Sequence, residues 1–297
     1  MCTKDTEWEV QEQMVRDSFA VFILSHGRAD NLITLNSLRR CGYSGKWYVV
    51  VDNEDPTIDD YVRVCGSEHV IVFDKLASSR TFDAFDNSEN RKTIIYARNE
   101  CFRIARELGL KYFLELDDDY KWFEFRWPEG DVLKTREMKD IDRVFEAFLT
   151  FLDDTDAKTI AFAQGGDLIG GVKGSRFRQG LLRKAMNSFF CRTDRPFTFI
   201  GRINEDVNTY TTLGSRGDLF FTYTKVDLVQ VTTQKNNGGM SDVYLDYGTY
   251  NKSFYTVITM PSCVRIGMMG DKHMRIHHQI DWETCVPKIV SGRFRNG

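Results

Sequence analysis

The chain of 297 residues is 42% hydrophobic and 13% aromatic with five prolines, enough for one large domain or two modest ones built on a substantial core. A net charge of −3 excludes a uniformly basic nucleic-acid binder, so contact with a polyanion has to come from a local patch. No run approaches the roughly 18 apolar residues of a membrane span, the polar residues 1–13 lack the apolar core of a signal peptide, and seven scattered cysteines without a C-x-x-C pair read as reduced thiols of a cytoplasmic protein.

Residues 18–25 form a continuous apolar run, as expected of a central parallel strand buried on both faces, and end in Ser25-His26-Gly27-Arg28. Leu32, Leu35 and Leu38 then recur at helical spacing up to Cys41-Gly42. Residues 46–51 are a second buried strand, ending in Asp52-Asn53-Glu54-Asp55, and residues 67–74 a third. Over 93–108, Ile94, Ile95, Ala97, Cys101, Phe102, Ile104, Ala105 and Leu108 make a wide apolar face, and Gly109 suits the left-handed residue that closes a helix. A short strand from Lys111 runs into Asp117-Asp118-Asp119. The order β-α-β-β-α-β, with polar residues gathered at strand ends, is that of a doubly wound, Rossmann-like half.

Three adjacent carboxylates repel one another, and burying them without a partner costs several kcal/mol each. They need water or a cation. Ligands of open α/β sheets bind at the carboxyl ends of the strands, and a hard divalent cation with a diphosphate suits an acidic tip there; a solvated acidic turn is the plainer alternative. No G-x-G-x-x-G follows the first strand and no P-loop occurs, so neither grip is supported.

Residues 120–136 carry Trp122, Phe123, Phe125 and Trp127, aromatics that either stack on a base or sugar or close a core edge. An amphipathic helix spans 139–152, with Ile141, Val144, Phe145, Phe148 and Leu149 inward. The apolar strand 159–163 opens into Gln164-Gly165-Gly166-Asp167 and then Gly170-Gly171. Between 168 and 204 eight cations (Lys173, Arg176, Arg178, Arg183, Lys184, Arg192, Arg195, Arg202) face one acid, Asp194. The stretch 173–202 is thus a candidate polyanion or DNA surface, unless its cations spread over several faces and pair with acids elsewhere. Glu205-Asp206 follows an apolar segment and opens a helix; Asn236 to Asp242 is a turn cluster; and His273, His277 and His278 are three of the chain's five histidines.

A first strand ending in Ser25-His26-Gly27-Arg28, a second ending in Asp52, Ala97-Arg98-Asn99 opening a helix, and a strand running into Asp117-Asp118-Asp119 together resemble a GT-A glycosyltransferase. The resemblance implies a single α/β domain over 1–297 with a mixed, mostly parallel central sheet flanked by helices. Residues 18–125 would form the nucleotide-sugar half and 126–297 the acceptor half. It implies a D-x-D site in which Asp119 and Asp117 hold Mn²⁺ or Mg²⁺ with a late histidine, His277 or His273. Ser25, Arg28, Asp52, Arg98, Asp117 and Asp118 would contact the donor, with Asp52 near the base. Asp206, or alternatively Glu205, would be the general base. Arg98 read without the resemblance is an exposed helix residue paired with Glu100 or Glu107.

The second-half segments around Ile203-Asn204-Glu205-Asp206, Asn236-Asn237-Gly238-Gly239-Met240-Ser241-Asp242 and Arg275-Ile276-His277-His278-Gln279-Ile280-Asp281 resemble one GT-A group, the phage TET-associated glycosyltransferases. That implies a hexosyltransferase moving a sugar, from a UDP-sugar, to the hydroxyl of 5-hydroxymethylcytosine in DNA, in the host cytoplasm if phage-encoded. A polysaccharide or protein acceptor, or a non-catalytic DNA-binding module, are the alternatives. Sugar identity, base preference, stereochemistry and oligomeric state stay open.

Overall fold

The structure, a computed structural model, describes residues 17–231, 251–269 and 274–286. The Asn236 to Asp242 turn cluster and His273 lie outside these residues.

All six residues of β1 (Phe19–Leu24) are buried. Their alternation divides the core: Phe19, Val21 and Ile23 face one layer, while Ala20, Phe22 and Leu24 face the other. The first layer is closed by α1 (Ile33–Arg40) and a later helix, the second by a long helix described below. Strand β2 (Lys46–Asp52) pairs parallel with β1. It is followed by α2 (Ile58–Cys65), an element absent from the β-α-β-β order expected above. In that helix Tyr61 is the buried residue, so eight residues carry too little apolar periodicity to declare it. Strand β3 (Val70–Phe73) is correspondingly shorter than expected, because Ser67–His69 form a 3₁₀ turn.

The expected long helix is α3 (Ile95–Glu107), with Ile95, Cys101, Phe102, Ile104 and Ala105 buried, and Gly109 closes it at φ +66°. Strand β4 (Tyr112–Asp117) pairs parallel with β1 and places Asp117 beside Leu24. Residues 120–137 form a hairpin of β5 (Tyr120–Glu129) and β6 (Val132–Glu137). Phe123 is fully buried in the first layer, whereas Trp122 and Trp127 are exposed on the outside, so these aromatics close a core edge. After α4 (Ile141–Asp154) come β7 (Thr159–Ala163), β8 (Leu181–Leu182), β9 (Ser188–Arg192), α5 (Glu205–Ser215) and β10 (Phe220–Gln230).

The strand order is β3-β2-β1-β4-β9-β7-β10-β5-β6, with β8 beside β10. Strand β9 runs against both β4 and β7, β5 and β8 run against β10, and the other strands share one direction. The sheet is therefore mixed and mostly parallel, in one domain. Beyond it, α6 (Asn251–Thr259) and the separate hairpin of β11 (Val264–Met269) and β12 (Arg275–Ile280) lead to α7 (Trp282–Cys285). Among the described residues no helix is long and apolar enough to cross a membrane.

The cysteines depart from the expectation of reduced thiols throughout. Cys263 and Cys285 form a disulfide that closes the loop containing the β11–β12 hairpin. Two half-cystines 22 residues apart are brought together only by that hairpin, which spacing alone does not reveal. Cys41, Cys65, Cys101 and Cys191 are free.

Candidate active site

The carboxyl ends of β1, β2 and β4, the N-terminus of α5, the segment after β7 and the β11–β12 hairpin surround one cavity of about 1100 Å³. Ser25, Arg28, Asp52, Arg98, Asp117, Asp118, Asp119, Glu205, Asp206 and His277 all line it. The positions singled out from sequence among the described residues thus converge, from Ser25 to His277, on one place.

The three aspartates divide their roles. Asp118 is 3% exposed and turns back to the first loop, where Ser25 Oγ donates to it at 2.5 Å and Arg28 at 2.8 Å. Tyr61 of α2 completes this corner: its hydroxyl lies 2.8 Å from Ser25 Oγ and accepts from the Arg28 amide at 2.9 Å. Asp117 accepts from Arg98 Nη2 at 3.0 Å. Asp119, half-buried, takes one hydrogen bond from the Gln230 amide at 3.0 Å. Burial, then the neighbouring charges of Asp117 and Asp118, push the Asp119 carboxyl up to about 7. The turn is pinned from behind by Thr34, whose hydroxyl donates to the Asp117 carbonyl and accepts from the Tyr120 amide.

Arg98 is 1% exposed rather than a surface helix residue. Its Nε donates to Glu205 at 3.1 Å, its Nη2 to Asp117, and its Nη1 lies 3.7 Å from Glu115. The rings of Phe189 and Phe199 cover its guanidinium at 4.9 and 5.7 Å. One buried cation therefore ties the β4 acids to the acid that opens α5. Glu115 is fully buried in the middle of β4, and burial holds its carboxyl up at about 8.

At the start of α5, Asn204 adopts a left-handed conformation, φ +58°, and anchors to α6 through the Lys252 carbonyl and Thr256. One Asp206 oxygen accepts from the Val207 amide at 2.7 Å. Burial raises both Glu205 and Asp206 above ordinary carboxylates, and each is further affected by nearby charge.

Asp52 accepts from His26 Nδ1 at 2.8 Å and from the buried Lys75 at 3.1 Å. Burial opposes its ionisation, but these two donors hold the carboxyl below its usual value. His277 and His278 stack at 4.3 Å in the cavity wall, and burial lowers His278 to about 4. Among the described residues no three or more His, Cys, Asp or Glu side chains are gathered as a ready-made metal site.

The basic stretch does not form one face. Arg192 pairs with Asp194 and Asp153, Arg195 donates to the carbonyls of Leu152, Thr155 and Ala157, Arg202 pairs with Asp86, and exposed Lys173 pairs with Asp131. Of the eight cations, Arg176 and Lys184 line the cavity.

Several lining or supporting residues escaped the sequence reading: Glu115, Gln230, Lys75, the pairing of Lys184 with Asp167, and Trp282. Glu115 had a signal, a charged residue inside an apolar strand that has to find a cation. Gln230 and Lys75 had none, since they arrive from strand ends and turns of ordinary composition.

The sequence model of the TET-Associated Glycosyltransferase family matches residues 19–239, most of the chain. The chain belongs to that family. It is a glycosyltransferase with its acidic residues gathered at one cavity. No curated protein matches it by sequence. Solved structures of similar outline include a mycobacterial protein (8% identity, TM-score 0.47, 91% of this chain and 87% of that one). They also include the glucosyl-3-phosphoglycerate synthase of Mycobacterium tuberculosis, in complex with Mg²⁺ and uridine diphosphate (9%, 0.45, 91% and 91%). A third is the mannosyl-3-phosphoglycerate synthase of Rubrobacter xylanophilus (11%, 0.37, 93% and 90%). These values describe a likeness of outline alone.

Proposed function

We propose that this TET-associated glycosyltransferase moves a sugar from a nucleotide-sugar, a UDP-sugar, to the hydroxyl of 5-hydroxymethylcytosine in DNA. The observation that carries the reading is Arg98, which hydrogen-bonds at once to the D-x-D acid Asp117 and to Glu205 beside Asp206. Donor-side and base-side acids thereby share one buried cation and one cavity.

A divalent cation suits the donor set. Mg²⁺ and Mn²⁺ take one or two carboxylates plus substrate phosphates. Asp119 offers a crowded carboxylate with one amide donor, next to Asp117, and His277 lies in the same wall. Asp119 and Asp117 would hold the ion, which neutralises charge on the departing nucleoside diphosphate. Ser25, Arg28 and Asp118 shape the first loop against the donor, and Asp52, oriented by His26 and Lys75, faces the nucleotide base. Asp206 receives the proton of the attacking hydroxyl. Its Val207 hydrogen bond engages one oxygen and leaves the other for the acceptor, and its raised proton affinity brings it nearer the operating pH of a general base.

The test is incubation with a panel of UDP-sugars and Mn²⁺, with hydroxymethylated or plain DNA, following UDP release and nucleoside mass. Wild-type protein should add one sugar mass to hydroxymethylcytosine, Asp206→Ala should lose transfer by at least about 100-fold as expected of a lost general base, and Asp119→Ala should lose transfer together with its dependence on Mn²⁺. UDP release without a change in nucleoside mass would refute the DNA acceptor, and near-wild-type transfer by either variant would remove that residue from the mechanism.

A further inference from the structure

Tyr210 sits four residues after Asp206 on α5, one turn along the same helix face and about 6 Å further on by helical rise. Its ring is 2% exposed and lies parallel to the Trp282 indole, with centroids 5.9 Å apart and planes 8° apart. Trp282 is 37% exposed, and both rings line the cavity. What sets this indole apart from the equally exposed Trp122 and Trp127 is its place in the wall of the cavity that also holds Asp206.

The position of this indole is set firmly. Asp281 caps α7 by accepting from the amides of Glu283 and Thr284, and the Cys263–Cys285 disulfide lies within a turn of Trp282. A rigid aromatic held by its neighbours loses little freedom when a ligand lands on it. The surroundings carry charge of the right kind. Asp206, Asp167 and Arg176 stand close enough to Tyr210 to act on its hydroxyl, and Lys184 close enough to act on Asp206. Lys184 is neutralised by Asp167. Arg176 is exposed and donates to the Gly166 carbonyl at 3.0 Å, and among the described residues it has no acidic partner, so its charge is left for an anion.

We infer that Trp282, backed by Tyr210, is the platform on which the acceptor base stacks, with Arg176 taking a flanking phosphate. The inference rests on the DNA acceptor reading above. Trp282, Tyr210 and Asp206 line the same cavity, so a base stacked on the indole is held in the cavity that contains the proposed general base. The base has to leave a duplex to reach this cavity, as bases acted on by enzymes do. Stacking on an aromatic side chain accepts any base face, so Trp282 sets affinity while the reacting hydroxyl sets selectivity. The arrangement favours a nucleic acid over a neutral glycan, since a pyranose would use the indole but leave Arg176 without its anion.

The experiment uses the full chain and an oligonucleotide carrying 5-hydroxymethylcytosine. Stacking of this kind corresponds to roughly 5- to 150-fold per base. Trp282→Ala should therefore raise the oligonucleotide KM by about tenfold or more, with the dissociation constant for UDP unchanged, and Trp282→Phe should restore most of the loss. If the melting temperature shows that Trp282→Ala does not fold, Trp282→Leu, apolar but without a π face, should show the same rise relative to Trp282→Phe. Arg176→Gln should lower the slope of log KM against log salt by about one. A KM within twofold of wild type for Trp282→Ala, or Trp282→Phe as impaired as Trp282→Ala or Trp282→Leu, would overturn the platform while leaving the DNA reading intact. An unchanged salt slope would remove Arg176 from the subsite. Wild-type protein that glycosylates a protein or polysaccharide but not the oligonucleotide would sink the DNA reading and the platform together.

Discussion

Glu115 makes a prediction whose sign separates two descriptions of the site. Its carboxyl is fully buried in β4, 3.7 Å from Arg98 and beside the Cys101 thiol. If the ion pair with Arg98 dominates, Glu115 is charged and its removal destabilises the fold. If burial dominates, it is neutral. Arg98 already gives closer hydrogen bonds to Asp117 and Glu205, at 3.0 and 3.1 Å, so burial should win. Burial raises the carboxyl from 4.5 to about 8, against the lowering effect of Arg98. In the unfolded chain Glu115 ionises above pH 4.5, whereas the folded chain keeps the proton to about pH 8. The native state then binds more protons across that window, so this residue's contribution to stability falls as pH rises, by about 1.4 kcal/mol per unit. By pH 7 the deficit is roughly 3 kcal/mol. Glu115→Gln keeps the shape and the hydrogen-bonding capacity of the neutral acid without the deficit. Urea unfolding of both proteins at pH 5, 6, 7 and 8 should show the variant gaining on wild type steadily from pH 5 upward. A variant less stable than wild type at pH 7, with the difference shrinking toward pH 5, would refute the neutral carboxyl and restore the ion pair.

Gly201→Ala should lower the melting temperature and transfer rate together, because φ at Gly201 is +78° and an added Cβ would stand 2.3 Å from Asn208 Nδ2 and 2.9 Å from the Phe85 ring. Asn208 holds the Ile200 and Ile203 carbonyls just before α5, so the acids of that helix should move with it, at a cost of about 1–3 kcal/mol; thermal melting with a kcat measurement checks both. Arg98→Met should cost on the order of 3–5 kcal/mol in urea unfolding, the loss expected when one partner of a buried ionic cluster is removed. A loss below about 1 kcal/mol would mean that the acids around it are already neutral.

How far the chain could be read without coordinates depended on the kind of residue. Strands buried on both faces, such as β1 and β4, announce themselves through unbroken apolar runs, and so the strand-end positions Ser25, Asp52 and Asp117 were legible along with them. Helix α3 was legible because thirteen residues repeat their apolar face several times. Helix α2 was not, since eight residues with Tyr61 as the buried one repeat nothing. The basic stretch misled for a different reason: spacing along the chain says nothing about acids that folding brings from elsewhere, and Asp153, Asp86 and Asp167 neutralise cations that look unopposed in sequence. Asp118 illustrates the same limit. Its place in the triplet does not reveal that, just past β4, its carboxyl is held by Ser25 and Arg28 in the cavity wall. The disulfide depended on hairpin geometry and was invisible to cysteine spacing.

The ladder between β4 and β9 has a mechanical consequence. Five residue pairs, from Tyr112 with Arg192 to Leu116 with Ser188, stitch the strand that carries the acidic tip to the strands that follow it, and β9 goes on to pair with β7. A hinge that closed one half of the molecule over the other would have to rupture these main-chain bonds. The β11–β12 hairpin, which contributes a wall of the cavity, stands outside this ten-stranded sheet and is closed at its base by the Cys263–Cys285 disulfide. The acids at the ends of β1, β2 and β4 therefore sit on one continuous floor, and their spacing does not depend on how one half of the chain is placed against the other.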